Sequence, residues 1–141
     1  MIVQTQTTSF KAELYQGIHD LTVDTLKLAL YTASANLDES TTAYTTSQEI
    51  AGTGYSAGGN VVTGVVISSS GYTAWVTFNN VQWVSSAFTA RCALLYNVSK
   101  ANRSIAVLDF GSDKTSSNLL PVFTVVIPSS GATTALIRSS N

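Results

Sequence analysis

Short apolar segments separated by turn residues recur along most of this chain, and this repetition restricts the possible folds more than any other feature. The segments are rich in β-branched and aromatic residues, and groups of Ser, Gly and Asn lie between them, which is typical of consecutive β-strands. The predicted strands are residues 24–31, 61–68, 72–78, 88–96, 105–110, 122–127 and 133–138. Because no helical pattern long enough for a parallel crossover separates them, we expect antiparallel pairing. The repetition predicts an all-β fold, arranged as an antiparallel two-sheet β-sandwich that is jelly-roll-like.

The first predicted strand is followed by a long segment of different composition. In that strand Leu26, Leu28 and Leu30 share one face, so we expect it to be half-buried. Residues 32–60 are rich in Ser, Thr, Ala and Gly, which predicts a long loop. Because an unstructured loop of this length is unusual in a small domain, short strands around Tyr44 or residues 49–50 are the alternative.

One short helix is predicted near the start of the chain. Residues 10–16 have a helical apolar spacing that ends at a glycine. The polar residues 1–9 predict an extended N-terminal arm, and residues 10–141 predict a single β-sandwich domain. An extended arm can pair with the exposed sheet edge of a neighbouring subunit, so Thr5 and Thr7 are candidate protein-interface residues.

Charged residues are scarce, and this restricts the class of partner. They make up 11% of the chain, whereas apolar residues make up 45%; an ordinary soluble domain has about a quarter charged residues. Ser and Thr supply the remaining polarity, and such a surface suits subunit contacts because burying an unpaired charge is costly. The seven Lys and Arg residues are dispersed and the net charge is −1, so we expect no nucleic-acid partner.

The sequence also indicates where the protein is made. Its longest apolar runs, residues 61–67 and 122–127, are much shorter than the roughly 20 residues that span a bilayer. The first residues lack the basic and apolar regions of a secretory signal, so we expect synthesis in a cytoplasm and no membrane partner. Cys92 is the single cysteine, which excludes an internal disulfide and favours a small buried side chain.

Residues that could support catalysis or metal binding form no recognisable pattern. His19 is the single histidine and lies just after the predicted helix, where a cation commonly stabilises a helix end. The eight carboxylates include no calcium-loop spacing, and the glycine-rich residues 52–59 lack the Lys and Ser/Thr of a phosphate loop. We therefore expect no enzyme activity, no cofactor, no metal and no small-molecule substrate.

Two other features concern single side chains. If the strand at residues 72–78 alternates, Trp75 points outward, and an exposed Trp is a candidate protein contact because it buries a large area at low entropy cost. Arg91 and Asp109 lie in apolar strands, where an unpaired charge would be costly. We therefore predict a structural ion pair between Arg91 and Asp109 that joins the two sheets.

Several motifs resemble a family of small structural proteins of tailed bacteriophages. They are residues 52–59 (GTGYSAGG), residues 83–96 (WVSSAFTARCALLY), residues 108–114 (LDFGSDK), and the early helix followed by residues 25–31 (TLKLALY). The likeness covers most of the chain. The most informative resemblance is to capsid cement, or decoration, proteins of short-tailed phages. It implies a jelly-roll sandwich, a homodimer, the major capsid protein as partner and a place on the capsid surface of the virion. It assigns no contact residues.

The expected function is therefore a virion structural protein that binds the outer surface of the assembled phage shell and stabilises it. The alternative is a tail- or fibre-associated adhesion module that binds a host glycan or protein, for which a sandwich is an equally suitable scaffold. In the alternative, Trp75, Trp83 and Tyr55 would be the stacking platforms. The same three side chains are candidate protein-interface residues in the first case.

Overall fold

The computed structural model describes residues 1–140 and consists mainly of antiparallel strands. Its helix is α1 (Thr8–Tyr15), and its strands are β1 (Thr5–Gln6), β2 (Leu26–Tyr31), β3 (Asn60–Val61), β4 (Val66–Ser70), β5 (Thr73–Thr77), β6 (Val81–Val84), β7 (Thr89–Asn97), β8 (Arg103–Thr115), β9 (Val122–Val125) and β10 (Ile137–Ser140). All pairs of these strands are antiparallel, so the predicted all-β class and the single short helix are confirmed. In the described part of the chain, no helix has the length and apolar character needed to cross a membrane.

The strands form three sheets. A five-stranded sheet has the order β1-β8-β7-β2-β3, a three-stranded sheet has the order β10-β5-β4, and β6 pairs with β9. The central pair of the large sheet is β7 and β8, whose register shifts near Arg91 and again near Tyr96. Strand β2 pairs with β7 along its whole length, from Leu26 opposite Asn97 to Tyr31 opposite Cys92.

One core joins the three sheets. On one face of the five-stranded sheet, Leu28, Leu95 and similar side chains are buried against residues of both smaller sheets. The buried residues that the smaller sheets contribute include Val76, Phe78, Val81, Trp83, Phe123, Val125 and Ile137. Apolar area removed from water in this way is the main stabilising contribution to such a fold.

The other face of the five-stranded sheet is covered by the loop that follows β2. Tyr31, Leu94 and Val107 on this face pack against Ala35 and Leu37 of the loop. Strand β2 is therefore buried on both faces, and the prediction that it is half-buried was wrong. Residues 32–59 contain no strand of two or more residues, only isolated bridges, so the long loop is the better of the two interpretations.

The glycine-rich end of this loop has a packing function. Gly59 has a φ of +69°, a backbone conformation that side chains disfavour. A Cβ at this position would overlap the carbonyl group of Leu28 in β2. The loop can return to the sheet as β3 because its backbone approaches β2 this closely.

Some predicted strands differ from the observed ones. Residues 61–68 divide into the end of β3 and the start of β4, since Gly64 has a φ of +69° between them. Residues 133–138 are mostly turn, and β10 begins at Ile137. The sequence pattern did not predict β1 and β6, and β8 continues through Gly111, beyond the predicted end of its strand at residue 110.

The first residues do not form a free arm. Thr5 lies opposite Val107 in the five-stranded sheet, and the amide of Val3 donates to the carbonyl of Leu37. The side chain of Gln4 accepts a hydrogen bond from the amide of Asp109. Because α1 begins at Thr8, the predicted arm of residues 1–9 is divided between a strand and a helix of its own fold.

Candidate protein-binding surface

Charged side chains are concentrated in one part of the molecule. No Asp, Glu, Lys or Arg occurs between Glu49 and Arg91, or between Lys114 and Arg138. We call residues 62–88 and 115–140 the neutral half; they form both smaller sheets and contain a single charged residue, Arg138. Residues 1–61 and 89–114 form the charged half, which contains the five-stranded sheet and α1.

The neutral half also carries exposed aliphatic side chains. Val84 and Val122 lie opposite each other in the β6–β9 sheet and are 65% and 49% exposed. Val126 is 71% exposed, and Leu119 and Leu120 protrude from the turn that leads into β9. We call these five residues the aliphatic face. Exposed apolar groups of this kind commonly mark contacts with other molecules.

The three-stranded sheet presents a different outer surface, rich in hydroxyl groups. Thr73, Trp75 and Thr77 alternate along β5, and Ser68 and Arg138 lie opposite Trp75 on the two neighbouring strands. Trp75 is half-buried, and its Nε1 donates a hydrogen bond to Ser130 Oγ at 2.9 Å. This hydrogen bond holds the indole ring of Trp75 in place. We call the outward residues of this sheet the hydroxyl face.

An open trough of about 470 Å³ separates β9 from the outer part of β8. Leu108, Phe110 and Phe123 contribute apolar side chains to its lining, and Asp109 and Lys114 contribute charged ones. Strand β9 pairs with β6 on its other side. The trough therefore runs between the two halves of the molecule.

Of two predicted contact residues, Trp83 lies inside the fold and Tyr55 is half-buried against the same core. Trp83 is 2% exposed and packs edge-on against Phe88 and Phe123. The hydroxyl group of Tyr55 donates to Glu49 Oε1 at 2.7 Å and accepts from the amide of Leu30 at 2.9 Å. Trp83 offers no face for stacking, so its interface prediction was wrong. Tyr55 is half-buried, and its interface role stays a prediction. Side chains alternate along β6, so that Trp83 points inward and the neighbouring Val84 points outward.

Thr5 and Thr7 are also engaged within the chain. Thr7 is fully buried, and its amide and hydroxyl groups both donate to the carbonyl of Ile105. Thr5 is half-buried in β1, and its hydroxyl group donates to the carbonyl of Gln6. These two residues attach the first strand to β8 and do not belong to an exposed arm.

Arg91 and Asp109 are in contact, but not between two sheets. Nε of Arg91 donates to Asp109 Oδ1 at 3.0 Å, and the second guanidinium nitrogen donates to Oδ2 at 3.3 Å. The residues lie on β7 and β8 of the same sheet, and each side chain is about a quarter exposed. The hydrogen bond from Arg91, assisted by the amide of Gly111, holds the pKa of Asp109 below its usual value. The predicted position across the sheets was therefore wrong.

A buried polar network surrounds His19, which the sequence pattern did not predict. Nδ2 of Asn97 donates to Asp24 Oδ2 at 2.7 Å and lies 2.9 Å from His19 Nδ1. Because an amide nitrogen can only donate, Nδ1 accepts and Nε2 carries the proton that it donates to Glu13 Oε2 at 2.7 Å. Both ring nitrogens are occupied and the side chain is fully buried, so His19 connects parts of the fold and has no atom available to a substrate.

The carboxylates of this network are held in the charged form. Burial raises the pKa of Glu13, but hydrogen bonds from His19 and Arg103 outweigh burial, and the pKa lies below its usual value. Burial likewise raises the pKa of Asp24, and hydrogen bonds from Asn97 and the amide of Asp20 lower it further than burial raises it. The network fastens α1 and the segment after it to the ends of β7 and β8.

A second polar cluster fastens the long loop. Glu49 accepts hydrogen bonds from the hydroxyl groups of Tyr44 and Tyr55 and from the amide of Gly58. Tyr44 stacks on Tyr96 with ring centroids 4.8 Å apart, and burial raises the pKa of Tyr96 to about 12. These tyrosines act as neutral hydrogen-bond donors at all ordinary pH values.

Comparisons with known proteins add no relative. Across residues 1–140 we found no group of three or more His, Cys, Asp or Glu side chains that could hold a metal ion. The exposed hydroxyl and aliphatic groups make the outer surface of the neutral half the candidate site. No protein-family model, no curated protein and no solved structure matches the chain.

Proposed function

We propose that this chain is a structural protein of a phage particle, a capsid cement protein that binds the outer surface of the assembled shell. The observation that carries the proposal is the separation of charge: one half of the molecule holds nearly all charged groups, and the other presents hydroxyl and aliphatic groups. Charged residues are depleted in the centres of protein interfaces because removing them from water is costly. The neutral half is the surface suited to lie against other subunits.

The finer architecture is also a proposal. The β10-β5-β4 and β6–β9 sheets together act as the second sheet of a jelly-roll-like sandwich, opposite the five-stranded sheet. In support, Val76, Trp83 and Phe123 from these two sheets share one core with Leu28 and Leu95. Such a sandwich leaves the outer surface of its second sheet free for contact with a shell.

The hydroxyl face supplies the contact with the major capsid protein. Trp75 is its anchor, because a fixed indole ring buries a large area and loses little entropy on binding. Ser and Thr around it can exchange hydrogen bonds with water for hydrogen bonds with backbone groups of the shell. After synthesis in the host cytoplasm, the protein then resides on the capsid surface of the virion.

Stabilisation follows from mass action. A ligand that binds the assembled shell and not free subunits stabilises the shell by an amount that grows with its concentration relative to its dissociation constant. A homodimer would attach at two points and dissociate more slowly than a single copy. Many modest contacts together would then hold neighbouring capsid subunits against the pressure of the packaged genome.

The amount and location of the protein in purified particles test this function. We expect hundreds of copies per particle of the encoding phage, and we expect them to remain with tailless heads after sedimentation. Quantitative mass spectrometry of heads and tails makes the measurement. A handful of copies that stay with purified tails would overturn the proposal.

Variants then test the contact surface. Trp75→Ala and Thr77→Lys alter the hydroxyl face and should reduce occupancy on heads at least tenfold, equivalent to roughly 1.4 kcal/mol. Tyr15→Ala is the control, because Tyr15 is 94% exposed in the charged half. Occupancy that falls equally for all three variants would contradict the assignment.

Trp75 also supports a second candidate function, a tail- or fibre-associated adhesion module. A ring surrounded by Ser and Thr resembles the apolar and hydroxyl lining suited to a sugar. This alternative predicts binding of glycans from the host surface that Trp75→Ala abolishes. A glycan array with the wild-type protein and this variant distinguishes it from the cement function.

A further inference from the structure

Strand β9 has one side that no other strand occupies within residues 1–140. It pairs with β6 on one side, and the trough of about 470 Å³ runs along the other. Proteins protect edge strands with charged residues, especially Lys, with Pro or by keeping the strand short. Val122–Val125 contains no charged residue, and the charges that line the trough, Asp109 and Lys114, lie on β8. The edge can therefore accept another strand.

The sequence of β9 is nearly symmetric about Thr124. Phe123 and Val125 flank it and are buried, and Val122 and Val126 lie one position further out and are exposed. If the same strand of a second copy paired antiparallel about Thr124, Val122 would lie opposite Val126, and Thr124 opposite Thr124 of the second copy. Cross-strand pairs of β-branched residues and of two Thr residues are favourable.

The surroundings of β9 suit contact with an identical surface. In a two-fold contact each residue meets its own copy or a symmetric neighbour, so any charge risks a like charge nearby. The stretch between Lys114 and Arg138 contains no charge, which removes this repulsion. Pro121 and Pro128 have no amide proton and would end the pairing on either side of the strand.

We propose that two copies of this chain associate through β9, which pairs antiparallel with β9 of the second copy along the trough. The pairing joins two β6–β9 sheets into one four-stranded sheet and brings Val122 and Val126 of the aliphatic face into the contact. A two-stranded sheet alone is marginally stable, so the extension also stabilises this part of the fold. The contact specifies the interface of the homodimer named in the proposed function, but it is argued from β9 alone, since a monomer can bind a shell and a dimer can serve elsewhere.

A cysteine at the symmetry axis tests the geometry directly. In Thr124→Cys, mild oxidation should join the two copies by a disulfide, because the axis places the new thiol next to its own copy. Thr77→Cys is the control, since Thr77 is half-buried on the hydroxyl face as Thr124 is on β9. The native Cys92 is fully buried and does not interfere. Cross-linking no greater for Thr124→Cys than for Thr77→Cys would overturn the proposal.

The oligomeric state in solution gives a second test that needs no particles. Sedimentation velocity from about 1 to 100 µM, a range that detects even weak association, should find dimers of the wild type. Val126→Asp should be monomeric, because it places two carboxylates in the contact. Val23→Asp is the control and should remain dimeric, because Val23 is 76% exposed in the charged half. A monomeric wild type or a dimeric Val126→Asp variant would refute the contact and leave the shell-binding proposal to its own test.

Discussion

The sheets of the charged half and of the neutral half differ in how many of their faces are covered. In the charged half, the five-stranded sheet is covered on both faces, and polar networks around Glu13 and Glu49 fasten the segments that cover it. In the neutral half, two small sheets bury one face in the shared core and leave hydroxyl and aliphatic groups outside. The difference indicates that both halves build the shared core, and that the neutral half leaves the outer faces of its sheets available for contact.

The largest expected difference in stability lies between the shared core and the outer surface of the neutral half. Leu28→Ala removes a fully buried side chain from the five-stranded sheet and should lower the free energy of unfolding by about 2–5 kcal/mol. Val122→Ala in the neutral half should lower it by less than about 0.5 kcal/mol, because Val122 is half exposed. Urea unfolding followed by circular dichroism measures both. Equal losses would contradict the division of roles.

The Glu13 network should give the next largest effect. Glu13→Gln weakens the hydrogen bonds with His19 and Arg103 and should cost about 1–3 kcal/mol at neutral pH. Because the pKa of Glu13 is lowered in the fold, its contribution is complete above the ordinary value of 4.5 and is lost as the pH falls through the folded pKa. The gap between variant and wild type should therefore narrow in acid.

Unfolding experiments at neutral pH and well below pH 4.5 test this dependence. Glu39→Gln is the matched control, since Glu39 is exposed in the same half. We expect it to change stability little at either pH. A gap for Glu13→Gln that persists unchanged in acid would mean that the carboxylate charge is not what the network uses.

Loop attachment should contribute less. Tyr55→Phe removes the hydroxyl group between Glu49 and the amide of Leu30, and it should cost about 1–2 kcal/mol because both partners lose a hydrogen bond. Hydrogen exchange should also become faster in residues 32–59. Tyr72→Phe in the neutral half is the control; Tyr72 is 88% exposed, and its variant should match the wild type. Similar exchange in both variants would argue against the Glu49 cluster as the attachment.

Local patterns in the sequence were sufficient for part of the fold. A period of two predicted β2 and β5 within a few residues, because it directly reflects the pleat of a strand, and an apolar segment between turn residues predicted β7. Strand β6 was not predicted because its four residues follow a turn and give too short a pattern. Trp83 lies in this missed strand, so its burial could not be derived, whereas the outward position of Trp75 could.

The polar networks depend on contacts that are distant in sequence. Asn97 contacts His19 across 78 positions, and Arg103 contacts Glu13 across 90. No local pattern relates such residues, and a single sequence contains no covariation that could reveal them. The basic residues were interpreted as dispersed, and the uncharged stretches were missed. Their meaning requires the topology, because they come together only when β6 pairs with β9 and β5 with β10.

The smallest expected effect lies at the border between the halves. Asp109 pairs with Arg91 beside the trough, and both side chains are partly exposed, so water screens their attraction. Asp109→Asn should therefore cost at most about 1 kcal/mol, far less than a buried pair between sheets would. Asp113→Asn is the control, because Asp113 is exposed in the same strand.

The contribution of Asp109 to stability should also depend on pH. Since hydrogen bonds hold the pKa of Asp109 low, its small contribution should be present above the ordinary value of 3.8 and disappear in more acidic solution. Urea unfolding of both variants at neutral pH measures the contribution. A loss of several kcal/mol in the free energy of unfolding for Asp109→Asn would mean that the ion pair at the border behaves as a buried pair. The trough beside it would then be part of the core and not a place for a second strand.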